Sequence, residues 1–269
     1  MASISVSKAW DDTGAFIQRE RRLVGPVVLA LVFLPTVVFR VFAPPMNMTD
    51  MMAGNYPPYL PWLSYGLLFI QLIGGASIVL MALGSRDPVG SSIVTGFKRA
   101  VVVVLACLLG ALVATPILVV VLIIASIAGG IPTNPAAMPP GFIMIVGLMS
   151  FILLLLALRI ILFVPAAVAE PIGPWAALKR GWVLGRSNGG RLIATLLLLL
   201  IGAMVLNFAV TAVVGSFAQL VLGDNQGATL GGILVALVVA AIGAVVFVVQ
   251  YVMLANLYRQ AVSSSPAAA

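Results

Sequence analysis

Apolar residues fall into six stretches of about 20 or more, at 23–42, 61–83, 100–127, 142–168, 192–214 and 230–257. A helix needs about 20 such residues to cross the core of a bilayer. Within lipid a single segment satisfies its own backbone hydrogen bonds only as a helix. The pattern predicts an all-α, polytopic membrane protein with six transmembrane helices. The polar segments between them are too short for a second domain. Residues 1–262 therefore read as one membrane domain and 263–269 as a disordered tail.

The sign of the polar segments alternates. Of the 14 Lys and Arg, twelve lie before residue 23, in 84–99, in 169–191 or at Arg259. The loops at 43–60, 128–141 and 215–229 carry only the acids Asp50 and Asp224. Basic loops stay cytoplasmic. Both termini and the segments at 84–99 and 169–191 are expected inside, and the other loops outside. An even number of spans returns the chain to its starting side, which agrees. The net charge of +7 then means attraction to an anionic inner leaflet rather than nucleic-acid binding. Membrane lipids are the expected partners.

Composition strengthens this picture. Hydrophobic residues make up 62% of the chain and charged residues 8%, against about 25% charged in soluble domains. Mean hydropathy is +1.22. The first 22 residues mix acids with bases, and the apolar run after them exceeds the length of a signal peptide core. The stretch at 23–42 is expected to be a retained span.

The cytoplasmic segments carry their own pattern. Asp87-Pro88-Val89-Gly90 precedes Lys98-Arg99, and Glu170-Pro171-Ile172-Gly173 precedes Lys179-Arg180. The two starts lie 83 residues apart. Three units would fill the chain, each a cytoplasmic helix, a span out and a span back. The matching run is short, so coincidence is the competing explanation. Val6, Trp10, Thr13 and Ile17 form one stripe at helical spacing. Val89, Ile93, Phe97 and Ala100 form a second, and Trp175, Leu178 and Trp182 a third. Amphipathic segments with Trp and flanking bases suit short helices lying in the membrane plane. Gly189-Gly190 is a natural bend into the fifth span. Pro116 and Pro165 are expected to kink their spans. Gly232, Ala236, Ala240 and Ala244 recur every four residues, the spacing of close helix packing in lipid.

The polar residues near or within spans are the candidates for function. Arg159 lies toward the cytoplasmic rim, where it either snorkels or pairs with Glu170 across the kink at Pro165. Arg159, Glu170, Lys179 and Arg180, with Asp87, Lys98 and Arg99, form a candidate polar cluster at two cytoplasmic corners. Gln71, Asn207, Gln250 and Asn256 lie within spans. Amides there either bond neighbouring helices or line a path. No acid lies deep in a span, which argues against proton-coupled transport. The Met-rich run at 45–52 offers soft ligands for Cu(I) or a loop resting on headgroups. Cys107 reads as a small buried apolar residue.

The chain contains no His. Histidine acid–base chemistry and the usual Cys/His zinc sites are therefore excluded. No phosphate-binding glycine loop is present, and no Ser or Thr has an evident partner base. No cofactor is expected.

The stretch from Arg159 through Pro165 to Glu170, then Ala177-Leu178-Lys179-Arg180-Gly181-Trp182-Val183-Leu184, resembles the glycerophosphoryl diester phosphodiesterase membrane domain of bacteria. In that family an Arg, a Pro and a Glu end a span, and an Ala-Leu-Lys/Arg-x-Trp helix follows. The resemblance covers about 30 residues, and Gly181 stands where the family more often has Ser. It implies an integral protein of the bacterial inner membrane. It implies no activity, because the catalytic domain fused to this region in some bacteria, with its histidines, has no counterpart here. The expected role is a non-enzymatic scaffold, accessory or lipid-interacting domain. The alternative is a transporter or channel for a small or lipidic solute.

Overall fold

A computed structural model describes residues 5–43, 56–84, 89–129, 139–187, 189–223 and 228–263. Asp87, the Met-rich run at 45–52 and the expected tail at 263–269, apart from Ser263, which is helical, lie outside the described residues. All regular structure among the described residues is helical. In chain order the helices are α1 (Val6–Val28), a π-helical turn (Leu29–Phe33), α2 (Leu34–Phe42), α3 (Tyr59–Ala82), α4 (Val89–Gly129), α5 (Pro140–Ile160), α6 (Phe163–Ala169), α7 (Pro174–Ser187), α8 (Gly189–Leu222) and α9 (Leu230–Ser263). They make six helical stretches long and apolar enough to cross a membrane. The protein is an all-α polytopic membrane protein.

The breaks within spans follow from proline. Pro26 and Pro35 bracket the π-helical turn, and Leu34 N–H reaches back to the carbonyl of Leu29. A proline has no N–H to give the carbonyl four residues earlier, and its ring crowds that carbonyl. A widened turn relieves both faults. Pro165 acts likewise at the end of the fourth span. It cannot bond Ile161, whose carbonyl instead accepts from Val164 N–H at 3.0 Å. The helix parts at Ile161 and Leu162, between α5 and α6. Pro116, by contrast, lies inside the unbroken α4.

Of the three expected amphipathic segments, the third forms α7, parted from α6 at residues 170–173. The N-terminal amphipathic segment runs into its span as one helical stretch, Val6–Phe42. Residues 89–99 continue into α4. The reason is local. Residues 170–173, with Pro171, part α7 from α6, whereas residues 89–101 are helical without a break.

Helix α9 is the hub. It packs against α1, α2, α3, α6, α7 and α8. Its Val252–Tyr258 run is buried all round. Gly232, Ala236, Ala240 and Ala244 are buried within the chain, so their stripe is an internal packing face. Tyr251 lies flat against Gly75 of α3, where any Cβ would strike its ring. Cys107 differs from the expectation: it is exposed on α4. A thiol facing hydrocarbon needs no burial, because its S–H is only a weak donor.

The polar contacts gather at one end. Ser5 N–H donates to Gln260 Oε1 at 2.9 Å. Asn256 Nδ2 donates to Thr13 Oγ1 at 3.1 Å. Arg259 reaches Asn256 Oδ1 at 3.3 Å and Asp12 at 3.5 Å. These contacts place the start of α1 against the end of α9. Leu158, Leu162, Leu184 and Leu192 join Ala9 and Tyr258 in one buried cluster there. The basic segments of the sequence thus converge on one end of the bundle.

Candidate functional site

The corner between α6 and α7 holds a polar arrangement that joins three helices. Glu170 ends α6 in an extended conformation (φ −100, ψ 144), and its N–H caps onto the carbonyl of Ala166 at 2.9 Å. Pro171 follows and forbids a continued helix. Pro174 then starts α7 at a position that needs no N–H donor. This turn brings α7 back across the end of the fourth span. Glu170 Oε1 accepts from Arg180 Nε at 3.1 Å and from Tyr258 Oη at 2.6 Å. One carboxylate oxygen therefore ties the α6 corner to α7 and to the hub α9.

Glycine permits the close crossing. A Cβ on Gly181 would lie 2.6 Å from the Ile160 carbonyl oxygen and 2.7 Å from the Phe163 nitrogen. A Cβ on Gly185 would clash with the Arg159 carbonyl oxygen. Ala177, Gly181 and Gly185, four residues apart, form the inward stripe of α7, with Ala177 fully buried. Trp175 and Trp182 are exposed, and Lys179 is exposed as well.

Glu170 does ion-pair with one of the bases around it, but of the two readings of Arg159 the pairing with Glu170 is not the one found. Arg180 makes that ion pair. Arg159 instead places its guanidinium 4.8 Å from the centre of the Trp182 ring, a cation–π geometry. Its Nε is buried and has no hydrogen-bond partner among the described residues. The reason lies in the break at Ile161–Leu162, which turns α7 across Arg159 and puts Gly185 against its backbone. Lys98, Arg99 and Lys179 make no ion pair to Glu170 among the described residues. The second corner, around Asp87, falls outside the described residues.

No family model, curated protein or solved structure matches the chain.

The intramembrane amides separate into two settings. Gln71 of α3 donates to Thr36 Oγ1 of α2 at 3.1 Å, and Thr36 in turn donates to the Val32 carbonyl at 2.6 Å. Asn207 of α8 and Gln250 of α9 line a cavity of about 140 Å³ with Ala203, Gly243 and Phe247. Gln250 also borders an apolar cavity of about 250 Å³ walled by Leu158, Leu196 and Leu254.

Asn256, read as an amide bonding a neighbouring helix, does so to Thr13; sequence reasoning missed that partner, Tyr258 and the packing role of the glycines of α7. Small residues at 177, 181 and 185 were a usable signal, since that spacing marks close helix approach. Tyr258 had none. A tyrosine at the basic end of a span looks like any interfacial aromatic.

Proposed function

We propose that the chain is a non-enzymatic, multi-pass protein of the bacterial inner membrane, acting as a scaffold or accessory domain in contact with lipid. Its termini and the segments at 84–99 and 169–191 lie in the cytoplasm. The distribution of bases supports that orientation. The resemblance of residues 159–184 to the glycerophosphoryl diester phosphodiesterase membrane domain supports the cellular setting.

The observation that carries the functional reading is the separation of the amides. A path for a polar solute needs polar groups that succeed one another across the bilayer. Gln71 is engaged by Thr36 between α2 and α3. Asn207 and Gln250 share a small cavity between α8 and α9. The first ties two helices by a hydrogen bond, and the second borders a cavity between two others. The basic end, meanwhile, is held together by Glu170, Arg180 and Tyr258 and by the α1–α9 seam. Such an end suits a platform more than a gate.

Reconstitution tests the reading. Proteoliposomes loaded with a panel of small solutes should leak no faster than protein-free vesicles, and mass spectrometry of the purified protein should find co-isolated phospholipid. A protein-dependent flux that Gln250→Leu abolishes would establish the transport alternative instead.

A further inference from the structure

A groove of about 380 Å³ lies between α1 and α9, beside the π-helical turn. Gly25, Leu29 and Phe33 form one wall, and Ala241 and Val245 form part of the other. Leu29 and Val245 are more than half exposed, so the groove opens to the surroundings of the bundle. At Gly25 a Cβ would meet nothing within 4 Å. Arg21 is the charged residue of the lining.

The groove has a polar end and an apolar end. Thr13 bonds Asn256, and Ser5 bonds Gln260, so the α1 residues before the groove belong to the basic end of the bundle. Arg21 lies toward that end and Phe33 toward the opposite one. Twelve residues of helix between them rise about 18 Å, on the order of half of a ~30 Å hydrocarbon core. The slot therefore has the depth of one leaflet. The neighbouring Arg19 is engaged by Glu20 at 2.8 Å, whereas Arg21 makes no ion pair among the described residues. No acid lines the groove. An exposed guanidinium at the rim of an apolar slot one leaflet deep complements a phosphate with an acyl chain below it. Arg binds phosphate through paired N–H donors.

We infer that the α1–α9 groove is a binding site for an anionic phospholipid of the cytoplasmic leaflet, with its phosphate at Arg21 and one acyl chain along Gly25, Leu29 and Phe33. This deepens the lipid-contact reading above and rests on it. A second copy of the chain is a poorer occupant, because it would bring a second Arg21 rather than an anion toward the same rim.

The test uses the full chain, purified in mild detergent and stripped of lipid. It is titrated with phosphatidylglycerol or phosphatidylcholine of identical acyl chains, and retained lipid is counted by native mass spectrometry. The parent should retain one phosphatidylglycerol, favoured over phosphatidylcholine by about fivefold, one basic residue's share of the attraction to an anionic surface. Arg21→Gln should erase that preference. Gly25→Leu places a side chain in open space and improves helix propensity, so the fold should hold, as circular dichroism would verify. It should weaken retention of both lipids by about tenfold, as when two methylenes lose their burial. Equal retention of the two lipids by the parent would overturn the site, as would a dimer in place of a lipid adduct. Preferential phosphatidylglycerol binding that survives Gly25→Leu would also overturn it, while leaving the lipid-contact reading in place. No retained lipid in any form would overturn both.

Discussion

Tyr258→Phe removes one hydroxyl from the Glu170 corner and leaves the ring where it is. That hydroxyl donates to Glu170 Oε1 at 2.6 Å from a ring only 6% exposed. A hydrogen bond to an ionised acceptor contributes about 1.5–3 kcal/mol. The Glu170 and Arg180 side chains are 28% and 31% exposed, so water can serve part of the carboxylate. The expected loss falls to about 1–2 kcal/mol, below the ~3–5 kcal/mol of a fully buried pair that loses one partner. Arg180→Met removes the partly exposed ion pair and should cost about 0.5–1 kcal/mol. Glu170→Gln keeps the shape and one acceptor oxygen while cancelling the charge, so it should resemble Tyr258→Phe in size. Thermal unfolding in detergent, followed by circular dichroism, reads these losses at roughly 2–4 °C per kcal/mol. The double variant Glu170→Gln/Tyr258→Phe is the sharper measurement. Both residues serve one oxygen, so their effects should overlap and sum to less than the two single losses. If both single variants melt with the parent, or if their losses simply add, Glu170 does not tie α6 to α9.

Gly185→Ala should destabilise by about 1–3 kcal/mol, and Gly181→Ala comparably, because each new methyl meets backbone atoms that cannot swing away; a control such as Gly14→Ala, where a Cβ meets nothing, should leave the melting temperature unchanged or raise it. Asn256→Leu removes the bonds of Asn256 to the Thr13 hydroxyl and to Arg259 at the α1–α9 seam, leaving Thr13 on the Ala9 carbonyl and Arg259 on Asp12, and should cost about 0.5–1.5 kcal/mol, with earlier proteolysis of the N-terminal segment as the readout. In a Cys107→Ala background, Tyr56→Cys should react with an impermeant maleimide in whole cells, and the exposed Lys179→Cys only after permeabilisation; the opposite pattern would reverse the orientation.

How much of the fold could be read from sequence depended on the range of the physics involved. Span number and approximate limits rest on hydropathy summed over twenty residues, a local quantity with a large signal. The six stretches read from the chain overlap the six apolar helices one for one. The breaks were harder. Pro165 acts within one turn, and the chain does part beside it, whereas Gly189 and Gly190, expected as a bend, lie inside α8. Pro116 carries the same local rule and leaves α4 unbroken, so a proline alone does not decide where a span divides. The amphipathic stripes at 6–17 and 89–100 also follow helical spacing. A stripe fixes which face a helix buries, however, and leaves open whether that helix is separate from the next. Only an interrupting residue decides that, and the first and third spans have none between stripe and span.

The candidate site shows the same division more sharply. Charge identified the region: Glu170, Arg159 and Arg180 do lie together at the basic end. Partner choice depended on a backbone crossing that charge does not encode. With Ser or Ala at 181 and 185, α7 would stand farther from Ile160 and Phe163. Arg159 could then reach toward the corner. With glycine at both positions α7 lies directly on the Arg159 backbone, its own Arg180 faces Glu170, and Trp182 covers the Arg159 guanidinium. A Gly181→Ser variant should lower stability and loosen the Arg180–Glu170 contact. Measured against Tyr258→Phe, it should reduce the cost of losing the hydroxyl, because a displaced α7 no longer orders the carboxylate. If the cost of Tyr258→Phe is unchanged in the Gly181→Ser background, the crossing of α7 and the geometry of Glu170 are independent, and glycine does not select the partner.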